Sequence, residues 1–171
     1  MKRVIAAVLA FLILFGVDSY ACDRVQGDEA PYVRYAVAGS ELPIEISMAL
    51  QEYLAQEGYE WWMYYACLQA YQESSFDVYQ LTPYPGGNDC GLFQFRDAYW
   101  LDHQQMAGVY GDIMDWRVQC RVYARITAQR LRQGRTIEQV ISDWTTGGED
   151  RICEEYVRDV MRWESRTERV R

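Results

Sequence analysis

The segment from Tyr59 to Ser74 is apolar almost all the way round a helix, and that property constrains the rest of the chain. Trp62, Tyr65, Ala66, Leu68, Gln69 and Gln72 recur at spacings of three to four, while Trp61 and Tyr64 fill other faces. A helix of this kind belongs in the middle of a core, wrapped by other elements. Both Trp61 and Trp62 are expected in that core. Leu42-Pro43-Ile44, followed by Ile46, Met48, Leu50, Leu54 and then Gly58, predicts a helix with Pro near its start and Gly at its end. Asp115 to Leu131 and Thr136 to Trp144 predict two more, separated by Gly134, and a last helix spans Arg151 to Trp163. Residues 75–91 break the pattern. Thr82-Pro83-Tyr84-Pro85-Gly86-Gly87-Asn88 is turn chemistry that supports at most a small irregular sheet. The expectation is an α+β, mostly helical domain over residues 42–171 with a small irregular β/loop region. Residues 22–41 are polar, contain glycine and lack clear periodicity, which predicts a linker.

Ahead of that linker, residues 1–21 read as a secretory signal peptide. Lys2 and Arg3 precede an apolar stretch from Val4 to Val17, and Ser19-Tyr20-Ala21 offers small residues at the −3 and −1 positions of a cleavage site. The stretch is shorter than the ~20 residues a spanning helix needs. Cleavage after Ala21 makes Cys22 the first mature residue, as in a lipoprotein, which would attach the protein to a membrane. Ser19 departs from the Leu, Val or Ile of the usual lipoprotein box. The remaining cysteines, Cys67, Cys90, Cys120 and Cys153, predict two disulfides in an exported domain, with three connectivities open; the alternative is buried thiols. The expected location is outside the cytoplasm, secreted or in the cell envelope.

Composition removes several classes of function. The 171 residues are 50% hydrophobic and 15% aromatic, too apolar for a disordered chain. A formal charge of −8 argues against a nucleic-acid partner, because such proteins carry a basic face. No two cysteines sit at zinc-ligand spacing and there is one histidine, so no metal or other cofactor is expected. That histidine, His103, has no partner by spacing and is expected at the surface or at a cap. The arginines from Arg117 to Arg135 predict a solvated helix face.

The chemistry lies at the end of the apolar helix, in Gln72-Glu73-Ser74-Ser75-Phe76. A carboxyl group between an aromatic helix and a loop is partly desolvated, and desolvation raises its pKa. A Glu kept protonated near neutral pH can give its proton to a glycosidic oxygen. Downstream, Gly91-Leu92-Phe93-Gln94-Phe95 is a tight apolar run around one Gln, with Phe93 and Phe95 expected to face the core.

The ordered pair Ala70-Tyr71-Gln72-Glu73-Ser74-Ser75-Phe76 and Gly91-Leu92-Phe93-Gln94-Phe95 resembles the SLT family of lytic transglycosylases, whose fold is shared with goose-type lysozyme. In that family a segment like Glu-Ser-Gly-Phe carries the catalytic Glu and one like Gly-Leu-Met-Gln follows on the facing loop. Leu42-Pro43-Ile44 and Gln51-Glu52-Tyr53 look like the opening helix of such domains, and the resemblance extends from Leu42 to Trp163. It implies a lysozyme-like architecture, peptidoglycan glycan strands as partner, Glu73 as catalytic acid and base, and Gln94 as a substrate contact. The family's Ala-Tyr-Asn motif is replaced by Asp143-Trp144-Thr145-Thr146-Gly147-Gly148. Trp144 then stands for the Tyr as a sugar platform, unless it is core, and Thr145 stands for the Asn as a hydrogen-bonding group. Tyr156-Val157 with Val160 looks like the closing motif, whose Tyr sits beside the catalytic Glu; the alternative for Tyr156 is packing, as for Gln94 it is satisfying backbone groups. The implied product is a 1,6-anhydromuramyl end. Two other readings stay open. A water-using muramidase needs a second carboxylate, for which Asp77 and Asp89 are nearest in sequence, although both fall where turns favour Asp. A non-catalytic glycan-binding component of a secretion or conjugation machine in the envelope is the other.

Overall fold

The computed structural model describes residues 32–148 and 151–170. The expected signal peptide and Cys22 lie outside them. Helix α1 (Ile44–Gln56) buries Ile46, Leu50 and Leu54 at its four-residue spacing and ends before Gly58, whose φ of 81° suits glycine. A 3₁₀ turn (Glu60–Trp62) leads into α2 (Met63–Ser74), which sits centrally and buries Met63, Ala66, Cys67, Leu68 and Ala70. Trp62 is fully buried, but Trp61 is 51% exposed and belongs to the surface instead. Consecutive side chains on a helical turn point more than about 90° apart, so when Trp62 enters the core Trp61 is carried toward the surface. Strands β3 (Leu81–Tyr84), β4 (Gly87–Cys90) and β5 (Phe95–Arg96) form the small antiparallel sheet in that order. After it come α3 (Trp100–Ala107), α4 (Trp116–Arg132), α5 (Ile137–Thr146) and α6 (Glu154–Met161).

Capping residues account for the helix starts. Asp115 accepts the Arg117 N–H at 2.9 Å ahead of α4, and Thr136 with Gln139 closes a reciprocal capping box on α5. The chain is thus mostly helical α+β, as expected.

The expected linker is corrected over its last part. Arg34–Val37 (β1) and Ser40–Glu41 (β2) pair with Thr167–Val170 (β6) in a second antiparallel sheet ordered β2-β1-β6. Ala38 and Gly39, both at positive φ, turn the β1–β2 hairpin, and Val37 is fully buried in the core. Strand pairing with the rest of the domain accordingly begins at Arg34 and not at residue 42.

The cysteines and arginines also depart from expectation. Cys67, Cys90, Cys120 and Cys153 are all free thiols, so the two disulfides expected among them are not formed. Cys67 and Cys120 pack as small apolar groups inside α2 and α4, Cys90 ends β4 and Cys153 precedes α6. The Arg117–Arg135 stretch is not simply solvated. Arg125 and Arg132 both reach Glu57 at the end of α1, at 3.3 and 3.1 Å. Arg130 and Arg135 converge on the buried Asp143 of α5, at 3.6 and 3.7 Å.

Candidate active site

Glu73 stands in the last turn of α2, and the backbone beyond it is unusual. Ser75 and Phe76 are consecutive non-glycine residues at positive φ (52° and 71°), which turns the chain sharply away and leaves the Glu73 side chain facing the gap. The Ser74 hydroxyl sits between the carbonyls of Ala70 (3.1 Å) and Leu92 (2.9 Å), pinning the helix end to the Gly91–Phe95 loop. That loop arches over the buried side chain of Gln119. The Gln119 amide donates to the carbonyls of Ile113 and Cys90 and accepts the Phe93 N–H. Gly91 is required there: its φ is 71°, and a Cβ would lie 2.0 Å from the Gln119 amide.

A cleft of about 900 Å³ opens beside Glu73. One wall is the small sheet, contributing Thr82, Asp89 and Arg96, followed by Tyr99 of the 3₁₀ turn Asp97–Tyr99 and His103 of α3. The other wall is α5, with Trp144 and Thr145; Ile126 and Thr127 of α4 form part of the floor. His103 therefore faces the cleft, with its ring packed 5.3 Å from that of Phe95, and burial lowers its pKa. It is neither a cap nor an ordinary surface residue.

The electrostatics set Glu73 apart. Burial is the largest influence and pushes its carboxyl up from 4.5 to about 7; the nearby Asp89 charge adds to the rise, and the Tyr156 hydroxyl opposes it. Tyr156, on α6, donates a short hydrogen bond to Glu73 Oε1. Its own pKa is raised well above 10 by burial and by the Glu73 charge, so it stays a phenol and a donor. Helix α6 is held against α2 by Trp163, whose indole donates to Gln72 at 2.8 Å and whose ring meets Tyr71 edge-on at 4.9 Å.

The other expected residues divide. Trp144 resolves its two alternatives by being both. Its ring packs 5.0 Å from Phe95 and 5.1 Å from Tyr123, its Nε1–H donates to the Phe93 carbonyl at 3.0 Å, and its remaining face lines the cleft. Thr145 is exposed on the cleft wall, with its hydroxyl bonded back to the Ser142 carbonyl at 3.0 Å. Gln94 lines the cleft too, yet its amide is engaged within the protein. Nε2 donates to the carbonyls of Gly91 (2.9 Å) and Gln80 (3.2 Å), and Oε1 accepts the Thr82 hydroxyl at 2.5 Å. It braces the loop to the hairpin. Asp77 is exposed and accepts the Tyr79 N–H at 2.9 Å in a turn, away from the cleft. Asp89 does reach the cleft, but Arg96 grips both its oxygens at 3.0 and 3.4 Å. Among the described residues no cluster of three or more His, Cys, Asp and Glu side chains is placed to hold a metal ion.

Sequence reasoning missed Gln119, Arg96 and Asp143. The only local hint was Asp143 itself, an acid inside an apolar helix face. A scan against protein-family models finds no match for this chain, and searches against curated proteins and solved structures find none either.

Proposed function

We propose that the protein is a peptidoglycan lytic transglycosylase, cleaving the β-1,4 bond between N-acetylmuramic acid and N-acetylglucosamine. The observation that carries the reading is Glu73 itself. It is a carboxyl group raised to about 7, with one phenolic donor beside it and a cleft of about 900 Å³ lined in part by its own side chain. At neutral pH such a group is divided between acid and base, as a reaction using one residue for both tasks requires.

Protonated Glu73 gives its proton to the glycosidic oxygen as the bond to the muramyl anomeric carbon breaks. The resulting carboxylate takes the proton of the muramyl 6-hydroxyl as that oxygen closes on the same carbon. The product is a 1,6-anhydromuramyl end, and water is not consumed. Trp144 offers a sugar ring an apolar face, with Thr145 and Gln94 beside it. The export signal, a lipid anchor at Cys22 and recruitment by an envelope machine are parts of the same proposal. So is the absence of a nucleic-acid partner.

A second reading, a muramidase that uses water, draws support from Asp89, which raises the Glu73 pKa from across the cleft. The grip of Arg96 on both oxygens of Asp89 weighs against its acting as a free base. Digestion of purified peptidoglycan, followed by mass spectrometry of released fragments, tests both. Anhydro ends are expected. Reducing ends would favour the muramidase, and no release would favour a glycan-binding component.

A further inference from the structure

The cleft extends past the reacting centre, and its far end carries a cation that the proposed chemistry does not use. Arg130 lines it from the last turns of α4, with a side chain only 16% exposed. Tyr123, two turns earlier on the same helix, donates to Gln69 at 2.6 Å, and Gln69 is one turn from Glu73 on α2. Seven residues advance a helix by about 10 Å. Arg130 therefore stands beyond the atoms that react, within reach of a substituent on the glycan.

The Arg130 guanidinium is fixed before any ligand arrives. Nε faces the Asp143 carboxylate at 3.6 Å, and Nη2 donates to the Gly147 carbonyl at 3.4 Å. Gly148 lies against the same group: a Cβ there would be 2.3 Å from Nη2, so the close approach requires glycine. Asp143 only partly offsets the charge, because it is shared with Arg135 at 3.7 Å. The N–H groups of Nη1 meet no acceptor among the described residues. His103 lines the same cleft from α3, on the wall facing α5. Its ring is braced against Phe95, and burial keeps it neutral at pH 7, with one N–H to donate. Asp102 also lines this end, but it is exposed at the rim, where water and salt screen it.

We propose that Arg130 and His103 form a subsite for a carboxylate carried on the glycan. Two groups supply that chemistry: the lactyl carboxylate of an unsubstituted muramyl residue, and the terminal carboxylate of a peptide attached there. A guanidinium presents paired N–H groups that match the two oxygens of a carboxylate, and an amide in the same place offers only one oxygen. The subsite thus distinguishes substrates that carry an acid from those that carry an amide. The identity of the ligand rests on the glycan-cleavage reading, but binding can be measured without turnover.

Three probes built on the disaccharide of N-acetylglucosamine and N-acetylmuramic acid separate the two sources. They are the bare disaccharide, its alanyl-alanine derivative with a free terminal carboxyl group, and the same derivative capped as an amide. Calorimetry on the intact protein should show at least one of the two acids binding about tenfold more tightly than the capped probe. His103 is the single histidine of the chain, so its imidazole proton resonance is unambiguous. At pH 7 it should move with that acid and hold still with the capped probe. Arg130→Gln should bring acid and capped probe to equal affinity. His103→Phe, which keeps a ring against Phe95, should lose part of the difference. Should Arg130→Gln fail to fold, Gly148→Ala takes its place, since the added Cβ displaces the guanidinium and should likewise erase the preference. Equal affinity for all three probes, or no binding of any, overturns the proposal, as does a preference for the acid that survives loss of Arg130. A wild type that prefers the acid yet releases nothing from peptidoglycan would keep the carboxylate subsite and remove the transglycosylase reading.

Discussion

Replacing Glu73 by Gln should make the protein more stable above neutral pH while removing its activity. In the folded state the carboxyl group titrates at about 7, against an ordinary 4.5. Because the folded value is the higher one, proton binding supports the native state fully below about pH 4.5. That support fades as pH rises and is gone once pH passes about 7. Integrating between the two values, the wild type at pH 8 should lose about 3 kcal/mol relative to a form that stays neutral, and at pH 4 only a few tenths. Glutamine stays neutral throughout and can still accept the Tyr156 hydrogen bond. Urea unfolding of both proteins at intervals from pH 4 to 8 should therefore give curves that coincide at the acid end and separate above it, with Glu73→Gln the more stable. The same substitution should lower glycan cleavage by roughly 10²–10⁴. Curves that stay parallel across the range would refute the desolvation argument. Retention of more than a tenth of the activity would refute the role of Glu73 as acid.

Three other perturbations test the walls and the core. Asp143→Ala removes a carboxylate whose side chain is 6% exposed and faces two guanidinium groups at 16%; the loss should be about 3–5 kcal/mol by denaturation, and a loss under 1 kcal/mol would show that the cluster does not hold α5 to α4. Trp144→Ala should lower both stability, by about 3 kcal/mol, and turnover, whereas Trp144→Phe keeps a ring and loses one N–H, at about 1 kcal/mol. Turnover that tracks the melting temperature through both variants would leave Trp144 no part in holding substrate. Burial pushes the Cys67 thiol up to about 12 and raises that of Cys120, so pulsed alkylation of the folded, reduced protein should label partly exposed Cys153 first and leave those two until unfolding. Equal labelling rates at all three would contradict their burial.

Most of the helical frame was legible because each helix carries its own punctuation. Pro43 and Gly58 bracket α1, Asp115 opens α4, and Thr136 with Gln139 opens α5. Glu73 stood out as a candidate because Glu73-Ser74-Ser75-Phe76 and Gly91-Leu92-Phe93-Gln94-Phe95 occur as an ordered pair, whereas an acid at a helix end alone says little. Strand β1 was not, since Arg34–Val37 is short and its partner β6 lies almost the whole domain away. Helix α3 escaped because its eight residues mix Trp, Asp, His and Gln without a clean apolar stripe. The roles of Gln119, Arg96 and Asp143 are properties of approach, not of pattern. Each depends on which backbone carbonyl or charged group the fold brings beside it, and no local spacing encodes that.

Pairing of β1 with β6 gives the fold a temporal order. Residues near Val37 emerge from the ribosome well before the strand that covers them, Thr167–Val170. Until then β1 has one short neighbour, β2, and an open edge available to other chains. A contact spanning so much sequence forms late, because the intervening chain must first be organised. Emergence of the later strand, more than completion of any helix, then marks the moment at which the N-terminal sheet can close.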